Sequence, residues 1–328
     1  MPIIATFTSD AYTVATFTIA GLYLSPTVAE SIAALRSRLA ASANPARAAS
    51  AARYFAKHAH LAHWGIKSAD VVAAAKLILL PAVRAEGTSR VAAVCNAVAT
   101  LAADNHIEMK QCAHWLLDAL SPALTRAHGD AVSIIETVGR VIDAGNAADW
   151  ATCDGLSARG VAPSLRAHPE LAGPIQQWAS SSNPWKSRAS CVAFARAGAR
   201  DLRFDTALLA ACNSAAARHP TDYFVNLGVG WALKELGARN PHAVTTFLSE
   251  HADLARIAVR TALEKVPSEV RREAMKRGRG SRSSVAAADN DIADVGTEPH
   301  LPGKPSVVDG QPGGARRRSR SFSLKRQR

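Results

Sequence analysis

Trp150, Asp154, Arg188 and Trp231 bring together one carboxylate, one guanidinium and two flat aromatic faces. A fixed carboxylate can stabilise positive charge that grows in a transition state. Aromatic faces attract the same charge, and an arginine can hold either a carboxylate or a phosphate. The set has meaning only if the elements that carry it make it converge. Trp150 and Asp154 stand at i, i+4, which puts both on one face of a helix. Arg188 comes three residues after Trp185 and four before Val192. It therefore lies on or beside an apolar stripe, where an arginine needs a partner. Trp231 aligns at helical spacing with Phe224 and Leu227.

The elements read as helices throughout. Ser31–Ala40, Ala46–His58, Ser68–Glu86 and Ser89–Asp104 carry apolar residues at helical spacing. From His106 a repeat emerges, with helices expected over Ile107–Leu120, Ala147–Arg159, Pro184–Ala197 and Asp222–Leu236. Their starts recur at roughly 40 residues, the period of HEAT-type helical pairs. Partner helices are expected over Ala131–Asp143, Pro169–Ser180, Thr206–Arg218 and Pro241–His251. Asn183-Pro184 and Asn240-Pro241 each place asparagine at an N-cap and proline at the first helical position. Gly237 stands where a left-handed C-cap would end the fourth helix. Equivalent helices of such a repeat stack side by side and build one concave surface, on which the four residues could meet.

The bulk composition agrees. The 328 residues are 48% hydrophobic and 20% charged, enough to bury a sizeable core, and alanine dominates over aromatics. The predicted fold is all-α: an α-solenoid of HEAT-like pairs over 25–277, after an N-terminal extension (1–24) of uncertain role. Residues 278–328 are expected to form a disordered basic tail, because their Gly, Ser, Asp and Pro cannot bury enough apolar surface. Residues 271–328 hold 14 Lys/Arg against 6 Asp/Glu, so most of the formal +12 sits there. The tail ends in Arg316-Arg317-Arg318 and Lys325-Arg326, a pattern of nuclear import or nonspecific DNA binding. Five dispersed cysteines without C-x-x-C spacing point to a reduced interior with no structural zinc, and the histidines form no metal motif. No apolar run is long enough for a membrane span, and the run Thr13–Leu24 lacks the basic flank of a secretory signal. The protein is expected inside the cell, in the nucleus where there is one and otherwise in the cytoplasm.

The order and spacing of several short motifs resemble the AlkD family of DNA alkylation-repair glycosylases, which are built from HEAT-like repeats. The resemblance covers most of residues 45–276. It rests on Trp150-Ala151-Thr152-Cys153-Asp154 for W-x-x-x-D and on Trp185-Lys186-Ser187-Arg188-Ala189 for W-x-x-R-A. Gly230-Trp231-Ala232-Leu233-Lys234-Glu235 matches G-W-x-L-[RK]-E, and Arg272-Glu273-Ala274 closes the series. Tyr54-Phe55-Ala56-Lys57, Gly65-Ile66-Lys67 and Glu108-Met109-Lys110 look like weaker landmarks. The chain departs from the family at Asp149, where a second tryptophan is common, and at Ala151, where an acidic residue is common.

The resemblance implies a monofunctional DNA glycosylase that excises N3- or N7-alkylated, cationic purines in base excision repair. Such a base leaves as a neutral molecule, so no general acid is needed. Asp154 would stabilise the growing charge on the deoxyribose and orient water. Trp150 and Trp231 would pack on the sugar, and Arg188 would hold the carboxylate or a phosphate. No lysine stands out as a Schiff-base nucleophile, and neither metal nor cofactor is expected. Lys186, Arg196, Lys234 and Arg239 are candidate DNA-binding residues, with Arg200 and Arg203 beside them. The expected partner of this monomer is double-stranded DNA with alkylated bases. The alternative is a non-catalytic helical-repeat scaffold binding DNA or protein, with Asp154 and Arg188 as a structural ion pair. Trp115, Trp178 and Trp185 are expected in the core. Gly228-Val229-Gly230 also matches the hairpin of helix-hairpin-helix glycosylases, with Asp253 at a suitable distance. That reading conflicts with the continuous helical pattern over Asp222–Leu236.

Overall fold

The structure, a computed structural model, describes residues 26–56, 61–87 and 90–272. The extension 1–24, the tail 278–328, Lys57, and Glu273 and Ala274 of the closing motif lie outside the described residues.

The chain forms α1 (Pro26–Ala41), α2 (Pro45–Phe55), α3 (Ser68–Ala85), α4 (Arg90–Ala103), α5 (Ile107–Leu124) and α6 (His128–Asp143). Then come α7 (Trp150–Leu156), a π turn (Ser157–Val161), α8 (Ala162–Ala167) and α9 (Ala172–Trp178). The series closes with α10 (Pro184–Gly198), α11 (Asp205–Arg218), α12 (Tyr223–Gly237), α13 (Pro241–Glu250) and α14 (Arg256–Ala262). Among the described residues the only β-type pairing is one isolated bridge, Ala62 with His106. No helix there is long and apolar enough to cross a membrane. The all-α helical-repeat architecture is as the sequence predicts.

The helices form two layers. In the first, α3, α5, α7, α10, α12 and α14 lie side by side, each packed on the next. The second contains α4 and α6, then α9 and α11, with α13 packed on α12. The core between them is aliphatic: Leu79, Leu101, Leu116, Ile134, Leu156 and Leu165 are almost wholly buried, with Phe194 as the largest buried ring. Alanine and glycine let neighbouring helices approach closely. A Cβ added to Gly230 would lie 2.7 Å from the Ala258 carbonyl oxygen, so α12 and α14 are locked at that distance.

Several details differ from the expectation; the helix expected over Pro169–Ser180, for one, is a 3-10 turn (Pro169–Leu171) followed by α9. α7 starts at Trp150 rather than Ala147, because Asp149 is its N-cap. The helix read as Ala147–Arg159 passes into the π turn. α5 runs through Pro122 to Leu124; the proline is exposed there, so solvent can replace the missing donor. Gly237 is not a left-handed cap. It ends α12 in helical conformation, the cap is Ala238 at φ −65°, and an added Cβ would press on Val266 at 3.0 Å. The asparagine caps hold as predicted: Asn183 accepts from the Trp185 amide and Asn240 from the Ala243 amide. Gly228-Val229-Gly230 lies inside α12, which excludes a hairpin at that point.

Candidate active site

Three successive helices of the first layer begin with the same device. The side chain of Asp149 accepts from the Thr152 amide at 2.8 Å, Asn183 from Trp185 at 3.0 Å, and Asp222 from Val225 at 2.8 Å. Each satisfies amides that a helix start leaves open. Because the caps are equivalent, positions counted from them sit at equal heights. Asp154 and Arg188 are both the fifth residue after their caps, so they face each other across the α7–α10 seam.

There they form a two-pronged ion pair. Arg188 Nε donates to Asp154 Oδ1 and Nη2 to Oδ2, both at 2.8 Å. The third prong, Nη1, donates to the Phe224 carbonyl at 2.6 Å and ties the pair to α12. The Arg188 side chain is 4% exposed and that of Asp154 25%. Burial alone would lower the pKa of Arg188. The adjoining carboxylate outweighs it, so the net shift is upward and the guanidinium stays charged. Gly228 makes room for this cation: a Cβ there would lie 2.9 Å from Arg188 Cγ and 3.1 Å from Nη1. Asp154 is thus a fixed anion, neutralised from beneath and open to solvent on one edge. A carboxylate offers about four lone-pair sites and Arg188 uses two, which leaves acceptor capacity toward the solvent side.

A known family matches the chain over most of its length. The family model described as DNA alkylation repair enzyme matches residues 35–266. The chain belongs to the DNA alkylation repair enzyme family. Its fold also matches a solved structure described as a predicted DNA alkylation repair enzyme from Enterococcus faecalis. That likeness has 16% identity and a TM-score of 0.55, and it covers 69% of this chain and 97% of the other. No curated protein sequence matches the chain.

Around the ion pair, Trp150 is half-buried. It stacks on Phe55 at a ring distance of 5.9 Å and 14°, with Tyr54 edge-on at 6.4 Å. Trp231 lies one turn beyond Gly228 and packs against the core, with the Arg196 guanidinium 4.9 Å from its ring centre. Trp115, Trp178 and Trp185 also pack against the core, and Trp185 stacks on Phe224 at 5.3 Å. All four candidates therefore belong to the first layer. Asp154 and Arg188 touch directly, Trp150 shares α7 with Asp154, and Trp231 connects to Arg188 through the turn of α12 that includes Gly228.

The candidate DNA-binding residues divide. Lys186 pairs with Asp143 at 2.5 Å and Lys234 with Glu264 at 2.7 Å. Arg239 pairs with Asp205 at 2.5 Å and Arg203 with Asp201 at 2.6 Å. Their charges are compensated in place. Among the described residues, Arg196 and Arg200 are in no ion pair, and both are exposed.

Sequence reasoning named two landmarks without seeing what they do. Glu108 is buried on α5, and its Oε1 accepts from the amides of Trp64, Gly65 and Ile66 at 3.0, 2.8 and 3.3 Å. Gly65 lies at φ +73°, and a Cβ there would come within 2.3 Å of the Ala48 nitrogen, so only glycine fits. Buried Lys110 donates to the Ala102 carbonyl at 2.5 Å and the Asn146 carbonyl at 2.6 Å. Desolvation lowers its pKa, partly offset by Asp149. Together these residues fix the loop before α3 and the segment leading into α7, and so the height of Trp150. Asp149, a departure from the family pattern by sequence, caps the catalytic-candidate helix; burial pushes its pKa up.

His114 went unnoticed. It sits on α5 against Gly155, where a Cβ would come within 2.6 Å of its ring. Burial, reinforced by the charge of Arg159, pushes its pKa down to about 3. The imidazole against Gly155 is therefore neutral across the physiological range.

Proposed function

We propose that this protein is a monofunctional DNA glycosylase that hydrolyses the N-glycosidic bond of cationic N3- or N7-alkylated purines. The observation that carries the reading is the Asp154 carboxylate, clamped on both oxygens by buried Arg188 yet open on one edge to solvent. An alkylated purine already bears the positive charge that makes it a leaving group. What remains is to stabilise the charge that develops on the deoxyribose as the bond opens, and a preoriented carboxylate does this without reorganising. In this reading Asp154 also accepts a proton from the attacking water. Trp150 and Trp231 supply flat faces for the sugar and its cationic character, while Arg188 positions Asp154.

This account asks for no metal or cofactor, and all of its chemistry falls to these side chains. The test is the fate of the base. Duplex DNA carrying N7-methylguanine is incubated with the purified protein, and the products are separated by chromatography. Free N7-methylguanine together with an abasic, unbroken strand is the expected result. An intact strand with restored guanine, or a methyl group transferred to the protein, would assign the protein to a different repair chemistry. Binding without any product would favour a scaffold.

A further inference from the structure

A second polar row crosses the same helices beyond the Asp154–Arg188 pair. Its members are Asp118 on α5, Arg159 in the π turn, Arg196 on α10 and Trp231 on α12. The π turn explains why Arg159 belongs to it. In an α-helix, at about 100° per residue, the fifth residue after Asp154 would point roughly 140° away from it. The Ala162 amide instead donates to the Ser157 carbonyl, five residues back, and the widened turn that carries Arg159 packs against both α5, the helix of Asp118, and α10, the helix of Arg196. Arg196 starts one turn further along α10, but helical side chains tilt toward the N-terminus, and its guanidinium comes back over Trp231 at 4.9 Å. Arg166 holds it from behind, donating to the Arg196 carbonyl at 3.3 Å.

The row is cationic in excess. Burial lowers the pKa of Arg159; Asp118 opposes that effect, and the nearby charge of Arg196 adds to it. Arg166 is lowered likewise by burial and by Arg200. Among the described residues, none of Arg159, Arg166, Arg196 and Arg200 is in an ion pair, whereas Lys186, Arg203, Lys234 and Arg239 all are. Two neighbouring guanidiniums without an ion-pair partner repel each other until an anion sits between them.

We propose that Arg159 and Arg196 clamp a single phosphodiester group of the DNA strand, with Trp231 as the wall between that phosphate and the sugar at Asp154. The inference rests on the reading that DNA lies along this face. It adds the anion that anchors the strand, and it makes Arg159, at the π turn, a strand-positioning residue.

Equilibrium binding to undamaged duplex tests it independently of any excision. Fluorescence anisotropy titrations over a salt series would compare wild type with Arg159→Gln, Arg196→Gln, the double variant and Arg196→Lys. Arg218→Gln, exposed on α11 in the other layer, is the control. Losing one phosphate contact flattens the plot of log K against log salt by about 0.9. Arg196→Gln should flatten it by about that much. The double variant should add little, because only one phosphate is released, and Arg196→Lys should keep most of the slope. Arg196 is exposed, so its variants fold whatever the fate of Arg159→Gln. Slopes for Arg196→Gln and the double variant equal to those of wild type and Arg218→Gln would overturn the clamp. A protein that excises nothing but still shows the predicted slopes would refute the glycosylase reading alone.

Discussion

Replacing Asp154 by asparagine strands a buried cation, while replacing Arg188 by methionine leaves a carboxylate that still reaches water. The two changes disrupt the same ion pair, and the difference in their cost follows mainly from burial. Arg188 is 4% exposed and Asp154 25%. Removing one partner of a fully buried pair costs about 3–5 kcal/mol. In Asp154→Asn the amide oxygen still accepts one bond, and Nη1 keeps the Phe224 carbonyl. We therefore expect about 2–3 kcal/mol, below that range. Arg188→Met keeps an apolar stem beside Gly228 and lets Asp154 hydrate, which should cost about 1–2 kcal/mol. The double variant should lose less than the sum, with a coupling of about 1–2 kcal/mol. Urea unfolding of the four proteins, followed by circular dichroism, measures all three quantities. Equal costs for the single variants, or strict additivity, would mean that Arg188 is not held by Asp154 as described.

Other outcomes follow from the same geometry. His114 has a folded pKa near 3 against an ordinary 6.5, so its contribution to stability is complete above pH 6.5 and is lost as pH falls toward 3. The residue is half-buried, so its share of the slope should be about 1 kcal/mol per pH unit, under the limit of about 1.4 for one proton; His63 and His106, also lowered by burial, add their own shares, and unfolding between pH 7 and 4.5 should show a slope shallower by about 1 kcal/mol per pH unit in His114→Asn than in wild type. Gly228→Ala puts a methyl group 2.9 Å from Arg188 Cγ and should slow excision by about tenfold or more through displacement of the ion pair, since a misplaced catalytic group is costly; single-turnover rates unchanged in a folded variant would contradict it.

Much of the first layer was legible because its signals are local. Asn183-Pro184 and Asn240-Pro241 mark helix starts by cap chemistry that survives in any tertiary context, and both caps form. Trp150 and Asp154, at i, i+4, could be placed on one face from spacing alone. Arg188, polar beside an apolar stripe, signalled a buried partner, and Asp154 is that partner. Features that depend on other segments were not legible. Asp149 looked like a lost tryptophan, yet it is the cap that sets the height of α7. The π turn inserts a residue that a search at period 3.6 cannot register, and with it went Arg159. Gly237 and Gly228 read alike as glycines near a helix end or a motif, and only the packed neighbours, Val266 and Arg188, separate their roles. Phe55 and Tyr54 are far from Trp150 in sequence, so their stacking on it required the fold.

The central claim is that the Asp154 carboxylate, rather than binding alone, drives release of the base. The most direct measurement is the single-turnover rate of N7-methylguanine excision by wild type and Asp154→Asn, both verified as folded and both saturating the substrate. The account predicts a fall of about 10²-fold or more, the scale of losing one preoriented electrostatic stabiliser, with duplex affinity little changed. Equal rates for the two proteins would remove Asp154 from the mechanism and contradict the account.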